Sequence, residues 1–184
     1  MPNGVLIIDK PEGWTSMDVC AKLRGIFHER RVGHGGTLDP MATGVLPVFV
    51  GRATRAVQYA ADGEKEYRAV LRLGTVTDTQ DVTGAVLEQR AVTVTAQELE
   101  QALGAFRGDI LQVPPMYSAI KVEGKKLYEL ARKGREVERR PRPVTIRELE
   151  VGRQLSRTDF ELRVVCSKGT YIRTLCHDVG QALG

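Results

Sequence analysis

No apolar stretch in this chain approaches the roughly 20 consecutive residues that a membrane-spanning helix needs; runs such as Val5 to Ile8 and Val45 to Val50 are far shorter. The N-terminus, Met1-Pro2-Asn3-Gly4, shows no basic segment followed by an apolar one and a small-residue cleavage site, so we expect no export, no membrane partner and a cytoplasmic protein. Cysteine is scarce. Cys20, Cys166 and Cys176 are an odd count with no Cys-x-x-Cys pair, which argues against a disulfide framework and a zinc knuckle. The histidines, His28, His34 and His177, have no metal-ligand spacing, and the neighbours Cys176 and His177 would point in different directions on a helix. No metal is expected. Neither Gly-x-x-x-x-Gly-Lys-Ser/Thr nor Gly-x-Ser-x-Gly occurs, excluding a phosphate-cradling P-loop and a nucleophile elbow.

What remains is ordinary globular material. With 184 residues, 42% of them apolar and 27% charged, there is enough chain for one substantial core and at most two small domains. The net charge of +4 is unevenly placed. Between Lys121 and Arg147 ten basic residues face four acids, a local +6 that leaves the rest of the chain at −2. Such a stripe fits a surface that neutralises phosphates. A solvated helix face laced with ion pairs, for example Glu129 with Lys133, is the alternative on composition alone.

Patterning predicts a mixed fold. Val5 to Ile8 reads as a buried strand ending at the Asp9-Lys10-Pro11-Glu12-Gly13 turn. Thr15 and Asp18 form a capping-box pattern before a helix whose face would carry Val19, Leu23, Ile26 and Phe27. A glycine-rich loop from Gly33 to Pro40 leads into Gly44 to Val50, where Pro47 predicts an edge or bulged strand. Lys65 to Gly74 alternates, with Tyr67, Ala69, Leu71 and Leu73 on one side. Thr95 and Glu98 cap a second helix bearing Leu99, Leu103 and Phe106. Tyr128 to Lys133 is a weaker helix candidate. Val144 to Val151 and Phe160 to Cys166 read as strands, and Thr170 to Leu183 as a helix with Ile172, Leu175, Val179 and Leu183 inward. Without regular βαβ alternation, the expected class is α+β with a mixed, largely antiparallel sheet flanked by helices.

The glycine loop is the first place where chemistry could sit. Gly33, Gly35 and Gly36 would permit positive φ and close backbone approach, displaying His34, Thr37 and Asp39 on a tight turn. A plain turn, in which Asp39 caps a helix or satisfies backbone amides, is the competing reading.

Several segments carry a specific resemblance. Ile8-Asp9-Lys10-Pro11-Glu12-Gly13-Trp14-Thr15-Ser16 and Gly33-His34-Gly35-Gly36-Thr37-Leu38-Asp39-Pro40-Met41-Ala42-Thr43-Gly44-Val45-Leu46 resemble the first two motifs of the bacterial tRNA pseudouridine-55 synthases, the TruB family. Lys65 to Ala69, Thr77 to Asp81, Pro114 to Lys121 and Ser167 to Arg173 follow in the family's order, so the resemblance covers essentially the whole chain.

That resemblance implies a pseudouridine synthase-like catalytic domain over 1–184, with a basic thumb-like insertion at about 113–147. It implies isomerisation of uridine 55 in the T-arm loop of tRNA, by base flipping and without a cofactor. Asp39 would be the catalytic aspartate, ionised close to the ribose or the base. Arg173 matches the arginine that pairs with it, favouring its charged form and orienting it. Tyr67 matches the aromatic stacked on the target uracil, with a proton-transfer role, and Tyr171 a second aromatic wall. His34 matches the residue that fills the stack left by the extruded base. Lys10 and Pro11 match residues bracing the floor of the site, and Asp78 lies in a substrate-facing loop, where a turn acid is the bland reading. Within the basic segment, Lys125, Lys126, Arg132 and Lys133 become candidate RNA contacts, with salt-dependent binding and recognition through loop shape and splayed bases.

Family members continue beyond the helix that carries Arg173 into a C-terminal PUA domain, so the chain reads as a truncated catalytic portion with exposed apolar surface. A monomer with tRNA as partner and no obligate protein partner is expected. Three rivals are weaker: an RNA-guided relative, a chaperone that binds the tRNA elbow without catalysis, and a glycosidase, which would need a second carboxylate in a comparable place.

Overall fold

A computed structural model describes residues 2–60, 63–122 and 124–184. The chain divides into two compact units, 1–63 and 64–184.

The first unit is a three-stranded antiparallel sheet with a helix on one face. Strand β1 (Gly4–Lys10) pairs with β3 (Gly44–Val50), which also pairs with β2 (Val32–His34), in the order β1-β3-β2. Helix α1 (Ser16–Phe27) starts at a complete capping box, with Thr15 Oγ1 accepting from Asp18 N and the Asp18 carboxylate accepting from Thr15 N at 2.8 Å. Alternation along the strands sends Leu6, Ile8, Leu46, Val48 and Val50 towards Val19, Cys20 and Leu23 of α1. The opposite row is open, with Val5 52% and Ile7 65% exposed, so β1 is covered on one face only and not buried as its continuous apolar run predicted. Ile26 is likewise exposed, and Cys20 takes the inward position on α1.

Pro47 lies in the central strand, contrary to the edge or bulged position its type predicts. Its carbonyl accepts from Gly35 N at 2.8 Å, so its ring nitrogen faces the β2 side, just past His34 where β2 stops. The missing N–H therefore falls on the side where β2 ends, and pairing with β1 runs without a register shift.

The second unit is built on a four-stranded antiparallel sheet. Strands β4 (Lys65–Arg72), β7 (Gly108–Gln112), β10 (Arg142–Gln154) and β11 (Asp159–Cys166) stand in the order β4-β11-β10-β7. Between them run the ribbon of β5 (Thr75–Thr77) and β6 (Val86–Gln89), and the ribbon of β8 (Lys121–Val122) and β9 (Lys125–Lys126). Helices α3 (Ala96–Leu103) and α5 (Ile172–Leu183) join one core with the sheet, with Leu99, Leu103, Leu175 and Val179 against Leu71, Ile146, Leu149, Phe160, Leu162 and Val164. Short helix α4 (Leu127–Ala131) also lies in this unit, and short helix α2 (Val57–Ala60) lies in the first. Ile146 and Leu149 are both buried because a register shift lies between Ile146 and Glu148, switching the parity of β10. The outer face carries cross-strand ion pairs. Arg72 holds Asp159 bidentately at 2.8 and 2.9 Å, and Arg163 reaches Glu66 at 3.0 Å and also Glu148. The α+β class with antiparallel sheets thus stands as expected.

Candidate functional site

In the first unit, the period-2 row of Leu6 and Ile8 continues into Lys10, placing a cation where the pattern calls for an apolar residue. Lys10 is fully buried, and its Nζ donates to the carbonyls of Trp14 (2.6 Å), Pro11 (2.9 Å) and Pro40 (3.1 Å). Burial draws its pKa below the usual lysine value, while the charges of Asp39, Asp18 and Glu12 oppose that shift. Gly13 N also donates to Pro40 O, at 2.8 Å. On the other side of the aspartate, Ser16 Oγ accepts from Leu38 N at 3.0 Å and lies 3.4 Å from Leu38 O as donor. Asp39 is therefore flanked by two residues whose main chain is tied to the 10–16 segment, and its own carbonyl accepts from Ala42 N. A turn, not a helix, follows it, so the helix-cap reading of Asp39 does not hold.

Of the glycines of this loop, Gly35 acts through space and not through φ. Among the glycines of this unit, positive φ occurs at Gly13, Gly44 and Gly51, and not at Gly33, Gly35 or Gly36. Gly35 is buried where an added Cβ would stand 3.2 Å from Phe49. His34, the last residue of β2, is half-buried, and its Nδ1 is buried with no hydrogen-bond partner among the described residues.

The second unit carries the remaining candidates. Tyr67 lies on the inward row of β4, partly buried against the core. Tyr171 is the N-cap residue of α5, and the Arg173 guanidinium lies 5.9 Å from its ring centroid. Arg173 donates to Tyr117 O at 2.8 Å and stands 3.6 Å from the Asp81 carboxylate, both side chains about 10% exposed. A cation in the first turn of a helix opposes the helix dipole, so nearby acceptors are what make this placement tolerable. Asp81 was not singled out from the sequence, although it closes the Thr77 to Asp81 motif. Its Oδ1 accepts from Thr79 Oγ1 (2.8 Å), Thr83 N (2.9 Å) and Thr83 Oγ1 (2.6 Å), which leaves Oδ2 directed at Arg173. Asp78 is exposed, and its Oδ1 accepts from Ala85 N at 2.8 Å, closing the same loop. Gln80, at φ 62°, accepts from Thr174 Oγ1 at 2.7 Å.

The basic segment folds around an aromatic. Lys126 and Arg132 each stand 5.3 Å from the Tyr128 ring centroid, and Lys125, Arg132 and Lys133 are exposed. Arg139 instead turns back to Pro114 O at 3.3 Å and to Glu136 at 2.7 Å. A cavity of about 410 Å³ between the 70–77 strands and the later part of α5 has Gln80 and Asp81 on its wall but none of Tyr67, Tyr171 and Arg173. Cys20 and Cys166 serve as core packing, and burial pushes the Cys176 thiol up to about 12. Among the described residues no cluster of three metal-ligating side chains occurs, and no helix is long and apolar enough to cross a membrane.

Comparison with known proteins follows the same lines. The family described as TruB family pseudouridylate synthase (N terminal domain) matches residues 24–172. The tRNA pseudouridine synthases B of Escherichia coli (strain K12) and of Shigella flexneri serotype 5b (strain 8401) are each 52% identical over 182 residues, 99% of this chain and 58% of theirs. Among solved structures, a chain in the crystal structure of a Cbf5-Nop10-Gar1 complex superposes with a TM-score of 0.75 at 36% identity, over 98% of this chain and 44% of that one. A chain in the structure of an H/ACA RNP bound to a substrate RNA containing 2′-deoxyuridine gives 0.71 at 32% identity, over 98% and 43%. The chain spans 58% of the length of the curated relatives it matches. It belongs to the TruB family of pseudouridylate synthases, through the N-terminal domain of that family.

Proposed function

We propose that this chain carries the uridine-isomerising chemistry of a tRNA pseudouridine synthase, with the T-arm stem-loop of tRNA as substrate. The observation that carries the reading is the mooring of Asp39, whose neighbours Leu38 and Pro40 are bonded to Ser16 and to Lys10 and Gly13. A carboxylate held that way is preorganised, which is what a reacting group needs. In the isomerisation the N1–C1′ bond of uridine breaks, a C5–C1′ bond forms, and the proton leaving C5 is matched by one gained at N1. No redox partner or cofactor is required. Asp39 is the catalytic residue, while Tyr67, Tyr171 and Arg173 support the site. Lys10 would brace the floor of the site, and Asp78 would face the substrate.

His34 would fill the stack left by the flipped base, and Lys125, Lys126, Arg132 and Lys133 would meet phosphates. The two units then act as one catalytic domain over 1–184, with 113–147 as its thumb-like insertion. We further propose a cytoplasmic monomer without an obligate protein partner. The likeness to chains from Cbf5 and H/ACA complexes favours an RNA-guided enzyme as the second reading; the higher identity to the tRNA enzymes ranks it below the first.

The test is incubation of the chain and its Asp39→Asn variant with unmodified T-arm RNA. Pseudouridine is read by selective chemical labelling, because the isomerisation leaves mass unchanged. Wild type converts the uridine. The variant keeps RNA affinity within about threefold and loses turnover, since the amide preserves shape and removes charge. Turnover by the variant would remove Asp39 from the mechanism.

A further inference from the structure

Helices α1 and α3 both begin at local capping boxes, Thr15 with Asp18 and Thr95 with Glu98. Helix α5, whose first turn carries Arg173, has none. Its N-cap is Tyr171, which has no side-chain cap bond, and the residue at the third helical position, Thr174, gives its hydroxyl to Gln80. The N–H of Tyr171 is met from a distant strand. Gln112, the last residue of β7 and only 1% exposed, accepts it at Oε1 (3.0 Å), and its Nε2 donates back to Tyr171 O (3.2 Å). One buried amide thus pairs with both main-chain groups of one residue, as a neighbouring strand would.

Two-point pairing fixes direction as well as distance. A single bond leaves the peptide free to swivel about it, whereas a donor and an acceptor in one plane set the orientation of the Tyr171 backbone. That backbone sets where the Tyr171 ring leaves the chain and how α5 starts. The start of α5 in turn sets the direction of Arg173 towards Tyr117 O and Asp81. A leucine would fill the space of Gln112 with no polar group to place. A buried, doubly bonded amide there is explained by what it holds.

We propose that Gln112 is a positioning residue of the reaction, acting through the Tyr171 main chain on Tyr171 and Arg173. This rests on the function proposed above. Gln112→Leu removes both bonds and keeps the bulk. Gln112→Glu is the discriminating variant: an ionised carboxylate still accepts from Tyr171 N–H but repels Tyr171 O, whereas the protonated acid restores donor and acceptor together. Burial and the facing carbonyl both favour that acid, so its effect reverses as pH falls from about 8 to about 5.5.

The experiment follows Tyr171 amide exchange by NMR, corrected for the intrinsic rate, with single-turnover pseudouridine formation and T-arm RNA affinity on the same proteins. Gln112→Leu is expected to speed Tyr171 exchange at least about tenfold. The turnover rate falls by about tenfold with affinity held within about twofold. Relative to wild type at each pH, Gln112→Glu regains protection and rate on acidification. Unchanged exchange in Gln112→Leu overturns the proposal, as does lost protection with an unaltered rate. A fall of rate and affinity together, without acid rescue in Gln112→Glu, also overturns it. If wild type forms no pseudouridine, the proposed function fails, and the exchange measurement still decides whether Gln112 fixes Tyr171.

Discussion

Replacing Lys10 by methionine tests whether one buried cation holds the Asp39 loop. Methionine keeps the length and apolar stem of the side chain but supplies no donor. Three carbonyls lose a bond, those of Pro11, Trp14 and Pro40, and Pro40 O keeps Gly13 N. Hydrogen bonds from a charged donor contribute about 1.5–3 kcal/mol each, and removing a buried ammonium returns several kcal/mol of its desolvation cost. The difference leaves a net loss of about 3 kcal/mol, which for a chain of this size is a fall of roughly 6–12 °C in Tm. Calorimetry measures it. Gly13 amide exchange should rise in the same variant, because its bond to Pro40 O depends on a carbonyl that is no longer held from its other side. The pH dependence has a defined sign. Burial lowers the folded-state pKa of Lys10, so above that value the unfolded chain binds more protons, and this group's contribution to stability rises with pH up to its ordinary value of about 10.4. Lys10→Met removes that rise. A Tm fall below about 3 °C, with Gly13 exchange unchanged, would refute the mooring argument.

Two other perturbations probe the surface. Neutralising Lys125, Lys126, Arg132 and Lys133 together should weaken T-arm RNA binding and flatten its dependence on salt by about 0.7–0.9 for each phosphate no longer neutralised; an unchanged slope would return the segment to a solvated face. Hydrogen bonds from Arg72 hold the Asp159 carboxyl below its usual range, so its stabilisation is complete above about pH 4 and fades as pH falls through the lowered folded value. Asp159→Asn should therefore melt a few degrees lower at pH 7 and match wild type in strong acid. A difference that persists in acid would contradict that linkage.

Much of the architecture is local and was legible in the chain itself. The capping boxes at Thr15 and Thr95, the alternation of β4 and the inward positions of α5 depend on short-range spacing, and short-range spacing is what a sequence displays. Family membership was legible for the same reason, being carried by contiguous motifs. Other features were settled by neighbours far along the chain. The exposure of Ile7 and Ile26 depends on which face another element covers, the tolerance of Pro47 on where β2 stops, and the burial of Leu149 on a shift in register. The partners of the site residues belong to the same kind. Ser16 bonds Leu38 across 22 positions, Lys10 bonds Pro40 across 30, Arg173 bonds Tyr117 across 56 and Gln112 bonds Tyr171 across 59. A sequence shows which residues could donate and accept. Which donor meets which acceptor depends on angles and distances within a few tenths of an ångström, and only the packed tertiary structure determines those.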